Sequence, residues 1–221
     1  MAKVKQEARA KRGLEAPPTM REHGAAMRDR LVVAALEYVW DFGYGASTIA
    51  EIARHAGVPR GSVFYYFPTK DDIVVAAIEA YVSQAHARRV ENLLGPWPDR
   101  ESALDRFQSY FRSRLEARRK TRFRRGCLLG NLAGEVGGQD LPLIIQAVRS
   151  GLRLFETDVL SFLAASLQAG QIKDGVDLPA LAATIVSSWE GALLQMKLQQ
   201  SPLPLEQFIA SFNGVFRNAR A

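Results

Sequence analysis

Cysteine is almost absent from this chain: Cys127 stands alone among 221 residues. A single cysteine excludes an internal disulfide framework, and a cytoplasmic protein is the simplest expectation. Histidine is scarce as well. His23, His55 and His86 form no ligand spacing with Asp, Glu or Cys, so neither a metal site nor a cofactor is expected. The sequence has no Gly-x-Ser-x-Gly turn, no phosphate-cradling loop and no dinucleotide fingerprint, which argues against an enzyme. Long hydrophobic runs are missing too. Glu, Arg, Lys or Gln interrupts every apolar stretch before it reaches membrane-spanning length, so no membrane partner is expected. The first residues are basic with no apolar region behind them, unlike a secretory signal.

What is present is apolar bulk and positive charge. Hydrophobic residues make up 48% of the chain, enough for a substantial core, and the net charge of +6 fits a polyanionic partner. The charge is clustered. Lys3, Lys5, Arg9, Lys11 and Arg12 mark a tail over residues 1–18, suited either to reach along DNA or simply to solubilise. A second basic run spans Arg112 to Arg125. It reads as a solvated helix end and loop, with effector capture and local electrostatics as the alternatives.

Apolar residues recur at helical spacing almost everywhere, so an all-α chain of nine helices is expected. Thr19 with Glu22 offers a capping box for the first helix. Met27, Leu31, Ala35, Tyr38 and Phe42 line one face of that helix, and Gly43 and Gly45 end it. Thr48 with Glu51 offers a second capping box, opening a helix to about His55. Gly57 suits a left-handed turn, and Pro59 the start of the next helix. Thr69 caps a long helix to about Leu94, with Asp71 and Asp72 in its first turn. Further helices are expected near 99–120, 127–136, 141–169, 178–199 and 204–217.

The stretch from Thr48 to Asp72 carries the functional signal. Two short helices joined by a glycine turn suit a helix that enters a DNA major groove. Arg60 and Ser62 can reach base edges there, and Gly61 permits close backbone approach. Tyr65 and Tyr66 can offer hydroxyls to phosphates or ring faces to thymine methyls. Thr48 begins the unit, and Lys70 reads as a phosphate contact. At least two of Val63, Phe64 and Phe67 should pack inward against Ile49, Ile52 and Ala53.

In the second half, Cys127 begins a helix with Arg124 and Arg125 beside it. Such a setting favours thiolate over thiol, although a lone cysteine is also often a small buried hydrophobe. The helix over 178–199 is apolar nearly all round and must be covered on two sides. Leu205, Ile209, Phe212 and Phe216 form a stripe on the last helix. Together these last two long helices look built for pairing.

The chain resembles the TetR family of one-component transcriptional regulators. The resemblance rests on the helix ending F-G-Y, then T-I-A-E-I-A, A-G-V, G-S, Y-F and K-D. It is specific from about Arg28 to Ile73, and the helical remainder is consistent with it. The family often has Tyr where this chain has Phe64, whose ring cannot donate to phosphate, so Tyr65 or Tyr66 would take that contact or it is lost. The resemblance implies a DNA-binding domain over 19–67, with a larger helical domain over 68–221 for effector binding and dimerisation. It also implies a homodimer on a pseudo-palindromic double-stranded operator, and a repressor in function. The segment R-G-C-L-x-G-N-L-x-x-E, with the later W-E-G-A-L-L-Q-M-K, is similar to a subgroup that senses reactive electrophiles. That subgroup includes repressors of N-ethylmaleimide reductase and of acrylate metabolism. It implies that Cys127 is a sensor or lines the effector pocket, with Lys197 close to it. Asn131, Trp189, Glu190 and Tyr110 are the other candidates to contact a small-molecule effector. The alternatives left open are a reversible ligand with Cys127 structural, and a helical scaffold that does not bind DNA.

Overall fold

The computed structural model describes residues 20–96 and 102–216. The tail expected over 1–18 and Thr19 of the first expected capping box lie outside them. Nine α-helices are present among the described residues: α1 (Met20–Ala46), α2 (Ile49–Ala56), α3 (Arg60–Tyr66), α4 (Lys70–Arg89), α5 (Ala103–Arg119), α6 (Leu128–Val136), α7 (Pro142–Gln168), α8 (Leu178–Gln199) and α9 (Leu203–Ser211). α4 runs on into a π-turn over Val90–Leu94, and a short 3-10 turn, Asn213–Val215, follows α9. The only extended pairing among the described residues is one bridge between Ile172 and Phe216.

Local sequence explains most boundaries. Thr69 and Asp72 form a full capping box at the start of α4, each side chain accepting from the other's backbone N–H. Thr48 caps α2 by accepting from Glu51 N at 3.1 Å, but the expected box is only half made. The Glu51 carboxylate instead accepts from Tyr38 and from Arg54, because these stronger donors lie within its reach. α1 ends in effect at Gly43, whose φ of 83° breaks the helix, and Gly57 closes α2 at φ 64°.

The α1 face buries Leu31, Ala35 and Val39 against α2 and α4. Phe42 departs from the expected face. It is 59% exposed and lies against the Tyr38 ring at 4.6 Å, because the break at Gly43 turns the chain away. Between α2 and α3, Val63 and Phe67 pack inward with Ile49, Ile52 and Ala53, whereas Phe64 points out.

The end of the chain differs most from expectation. The last helix is nine residues long, and its stripe is not a free face. Leu205, Ile209, Phe212 and Phe216 are all buried in the same chain. With Phe208 they close an aromatic cluster around Phe107, Phe111, Phe162 and Trp189. The cause is the position of α9, which folds back on α8 and α5 and covers the lower core.

Candidate functional site

Two sites are legible: a surface on α2 and α3, and a cavity in the larger helical part. On the surface, Arg60, Gly61, Phe64 and Tyr65 are exposed, Tyr65 by 82%. No atom lies within 4 Å of where a Gly61 Cβ would stand, so backbone is accessible there. Arg60 lies over the Phe64 ring at 5.4 Å, and Tyr65 meets Tyr66 edge-on at 4.9 Å. Ser62 and Tyr66 are half-buried, and Thr48 is exposed at the start of α2. Lys70, half-buried, is the first residue of α4. Its Nζ lies 3.6 Å from the centre of the Tyr44 ring, and burial lowers its pKa, which the charges of Asp71 and Glu135 partly offset. A phosphate contact would have to pull it from that ring. Arg28, exposed over the Phe67 ring at 5.1 Å, and Arg54 at the end of α2 add cations that sequence reasoning passed over.

The cavity lies where α1, α4, α5, α6, α7 and α8 meet, and its volume, measured to the centres of water-sized spheres, is about 60 Å³. Cys127, Tyr110, Trp189 and Glu190 line it. Tyr81, Trp40 and Phe155 line it as well, with Arg88, Arg89, Arg114 and Arg118. Arg114 and Arg118 fall in the basic run whose purpose the sequence left open. For Tyr81 and Arg88 only a helical register carried through α4 could have given notice.

The chemistry at Cys127 is the reverse of an activated thiol. Cys127 caps the start of α6 and is buried. Burial, and then the nearby Glu190 charge, push its pKa up to about 12, against small opposing effects of Tyr81 and the Gly130 backbone. The Tyr81 hydroxyl donates to Sγ at 3.5 Å, and burial raises the Tyr81 pKa far above its usual value. Arg125 does not assist, because it is paired with Asp41, and Arg124 points to solvent. Glu190 is a carboxyl pushed up to about 7 by burial, partly opposed by its contact with Cys127 and the Arg118 charge. Its Oε1 is buried without a hydrogen-bond partner among the described residues, and its Oε2 presses on the place a Gly130 Cβ would take.

Asn131 and Lys197 pair with each other rather than facing the cavity. Lys197 Nζ donates to Asn131 Oδ1 at 3.1 Å, and the lysine stem lies against Gly126. Neither residue lines the cavity. The two are neighbours of Cys127 in the fold: Asn131 N donates to Cys127 O at 3.0 Å, and Lys197 lies against Gly126.

The α6 helix joins the two sites. At its cavity end, the Trp40 indole N–H of α1 donates to Gly126 O at 3.2 Å. At its other end, the Glu135 carboxylate accepts from Tyr44 N at 2.8 Å and Gly45 N at 2.6 Å, at the corner between α1 and α2. Tyr44 in turn donates to Asp71 at 2.7 Å.

Residues 31–77 match the family model described as bacterial regulatory proteins of the tetR family, and residues 103–212 match the tetracyclin repressor-like C-terminal domain. The chain is 33% identical over 194 residues to the transcriptional regulator AcuR of Cereibacter sphaeroides, covering 84% of this chain and 83% of that protein. It belongs to the TetR family of transcriptional regulators. A second TetR-family relative is the transcriptional repressor DhaR of a Mycobacterium species, 28% identical with 83% and 88% covered. The repressor NemR of Escherichia coli is 25% identical over 202 residues, covering 85% and 92%. Among solved structures, a regulatory protein TetR from Rhodobacter sphaeroides superposes with a TM-score of 0.78 at 30% identity, over 86% of this chain and 99% of that one. The reduced form of E. coli NemR shares the fold with a TM-score of 0.77, over 89% and 100% of the two chains. The TetR-family chain described here is thus an all-α DNA-binding regulator and not an enzyme, and no described helix is long and apolar enough to cross a membrane.

Proposed function

We propose that this chain is a repressor released from its operator by reversible binding of a small molecule in the cavity beside Cys127. The DNA-binding unit is the segment 19–67, and the remainder, 68–221, holds effector and dimer partner. Arg60, Gly61, Ser62 and Tyr65 read the groove, and Thr48, Tyr66, Arg28 and Arg54 meet phosphates.

The observation that carries the reading is α6. One nine-residue helix has a cavity wall at its start and, at its end, the carboxylate that caps the α1–α2 corner. An effector that shifts α6 displaces that corner and turns the reading helices away from adjacent major grooves, and the shift is set by its differential affinity for the two states. The buried, protonated state of Cys127 favours reversible binding over covalent sensing, because the thiolate is the reactive form. Asn131 and Lys197 then act by fixing the start of α6 against α8.

The test is a mobility shift with DNA from upstream of the chain's own gene. Wild type and Cys127→Ser should both bind, and Arg60→Ala and Tyr65→Ala should lose about 1–3 kcal/mol of affinity each. N-ethylmaleimide or hypochlorite should release neither wild type nor Cys127→Ser at low dose. Release of wild type alone would replace this reading with thiol sensing.

A further inference from the structure

Among the side chains lining the cavity beside Cys127 are three arginines, Arg88 from α4 and Arg114 and Arg118 from α5. None of the three forms an ion pair among the described residues. Asp158 on α7 is already taken by Arg89 Nε at 2.6 Å and His86 Nδ1 at 2.9 Å. Arg114 is half-buried and its pKa is lowered, by burial first and by the like charges of Arg88 and Arg118 as well, with Tyr110 opposing. Three guanidiniums facing one small space repel each other unless an anion joins them.

Glu190 lines the same cavity. Its Oε1 is buried in the wall and accepts no hydrogen bond among the described residues. The Arg118 charge acts on this carboxyl, yet the two form no ion pair. The three arginines therefore lack an anion and the carboxylate lacks a donor. Tyr81, Phe155 and Trp189 supply apolar wall. A volume of about 60 Å³ compares with roughly 10–15 Å³ for one water on the same measure. It suits a molecule of about five or six heavy atoms.

We propose that the cavity binds a short hydroxy acid. Its carboxylate lies among Arg88, Arg114 and Arg118, and its hydroxyl donates to Glu190 Oε1. Guanidinium donors match a carboxylate in charge and geometry. The hydroxyl satisfies the one buried acceptor the fold leaves open. This inference rests on reading the cavity as the effector site and names the ligand class for it.

The experiment is calorimetric titration of the full chain, at constant ionic strength and neutral pH, with glycolate and lactate. Propionate, which lacks the hydroxyl, and lactamide, which lacks the charge, are the controls. At least one hydroxy acid should bind saturably, with propionate and lactamide each weaker by about tenfold or more. Arg114→Gln and Arg118→Gln should weaken the hydroxy acid by about tenfold. Glu190→Leu should abolish its advantage over propionate, with circular dichroism confirming each variant's helices. Saturable binding of neither hydroxy acid overturns the proposal. So does lactamide binding as well as lactate, or propionate binding as well as either. Unchanged affinity in both arginine variants would also overturn it. Operator binding is scored separately by mobility shift. A chain that holds its operator but no hydroxy acid loses this inference alone, and a chain that binds lactate but no operator DNA loses the repressor reading alone.

Discussion

At the scale of residues, Cys127 and Glu190 control each other. The thiol is a buried acid with its pKa near 12, and the carboxyl is a buried acid near 7. The Glu190 charge resists ionisation of the thiol, while the contact with Cys127 favours ionisation of the carboxyl, so at neutral pH the pair holds at most one charge. Two expectations follow from this. Alkylation of Cys127 by iodoacetamide at pH 7 should be slower in the folded chain than in denaturant by about a hundredfold or more. Labelling at equal rates would mean the thiol is open and activated. The second expectation concerns stability. Folding raises the Glu190 pKa from 4.5 to about 7. The folded state therefore holds this proton more tightly than the unfolded state. Its contribution to stability is complete below the unfolded value and is lost as pH climbs through 7. The full loss is at most about 3 kcal/mol, taking ~1.4 kcal/mol per unit. Glu190→Gln removes the titration, so the variant should gain on wild type in urea midpoint between pH 5 and pH 8. A constant difference across that range would show that Glu190 is not the titrating group.

At the scale of elements, α6 is the part whose role needed the structure. Its start was readable, because Cys127 precedes a clean apolar run and Gly137 follows it. Its end was not. Glu135 is the last residue of the R-G-C-L-x-G-N-L-x-x-E segment, to which the sequence reading gave no contact, and it is exposed. Its partners, Tyr44 N and Gly45 N, lie ninety residues away and are backbone groups, so no side-chain pattern advertises them. The same limit applies to the contact between Lys70 and the Tyr44 ring, which belongs to a corner fixed by Gly43. By contrast, α2 to α4 were legible to within a residue or two, because caps, turn glycine and proline are local signals. Glu135→Ala should leave two N–H groups to water and lower the urea midpoint by an amount equal to about 1 kcal/mol. It should also weaken operator binding, since the α1–α2 corner sets the angle of the reading helices. Loss of stability with unchanged operator affinity would reduce Glu135 to a cap and remove α6 as the coupling element.

At the scale of the whole molecule, the question is which face meets a second copy. TetR-family regulators are generally dimeric, and two reading heads must stand about one helical turn of DNA apart to grip both half-sites. The stripe on α9 cannot serve, since it is spent on the aromatic cluster of its own chain. α8 carries uncovered apolar surface, with Leu194 57% and Leu198 80% exposed and exposed Gly191 and Ser187 one and two turns earlier on the same face. α7 runs beside it, with half-buried Leu152 and Leu160 turned toward the same side. We therefore expect α7 and α8 of each copy to build a four-helix interface. Small residues there allow close approach, and the exposed leucines close the end. This shifts the pairing helices one place toward the start of the chain compared with the sequence reading. The sequence reading took the stripe on α9 as free to pair, whereas in the folded chain the aromatic cluster covers it. Leu194→Glu and Leu198→Glu place charges on positions that no contact within the chain buries. Each variant should keep its helical content and Tm, yet sediment as a monomer and lose operator binding by about a hundredfold or more, as a lone head makes half the phosphate and base contacts. A charged variant that remains dimeric and DNA-bound would place the interface on another face. An unfolded variant would show instead that the leucines are core, against their exposure here.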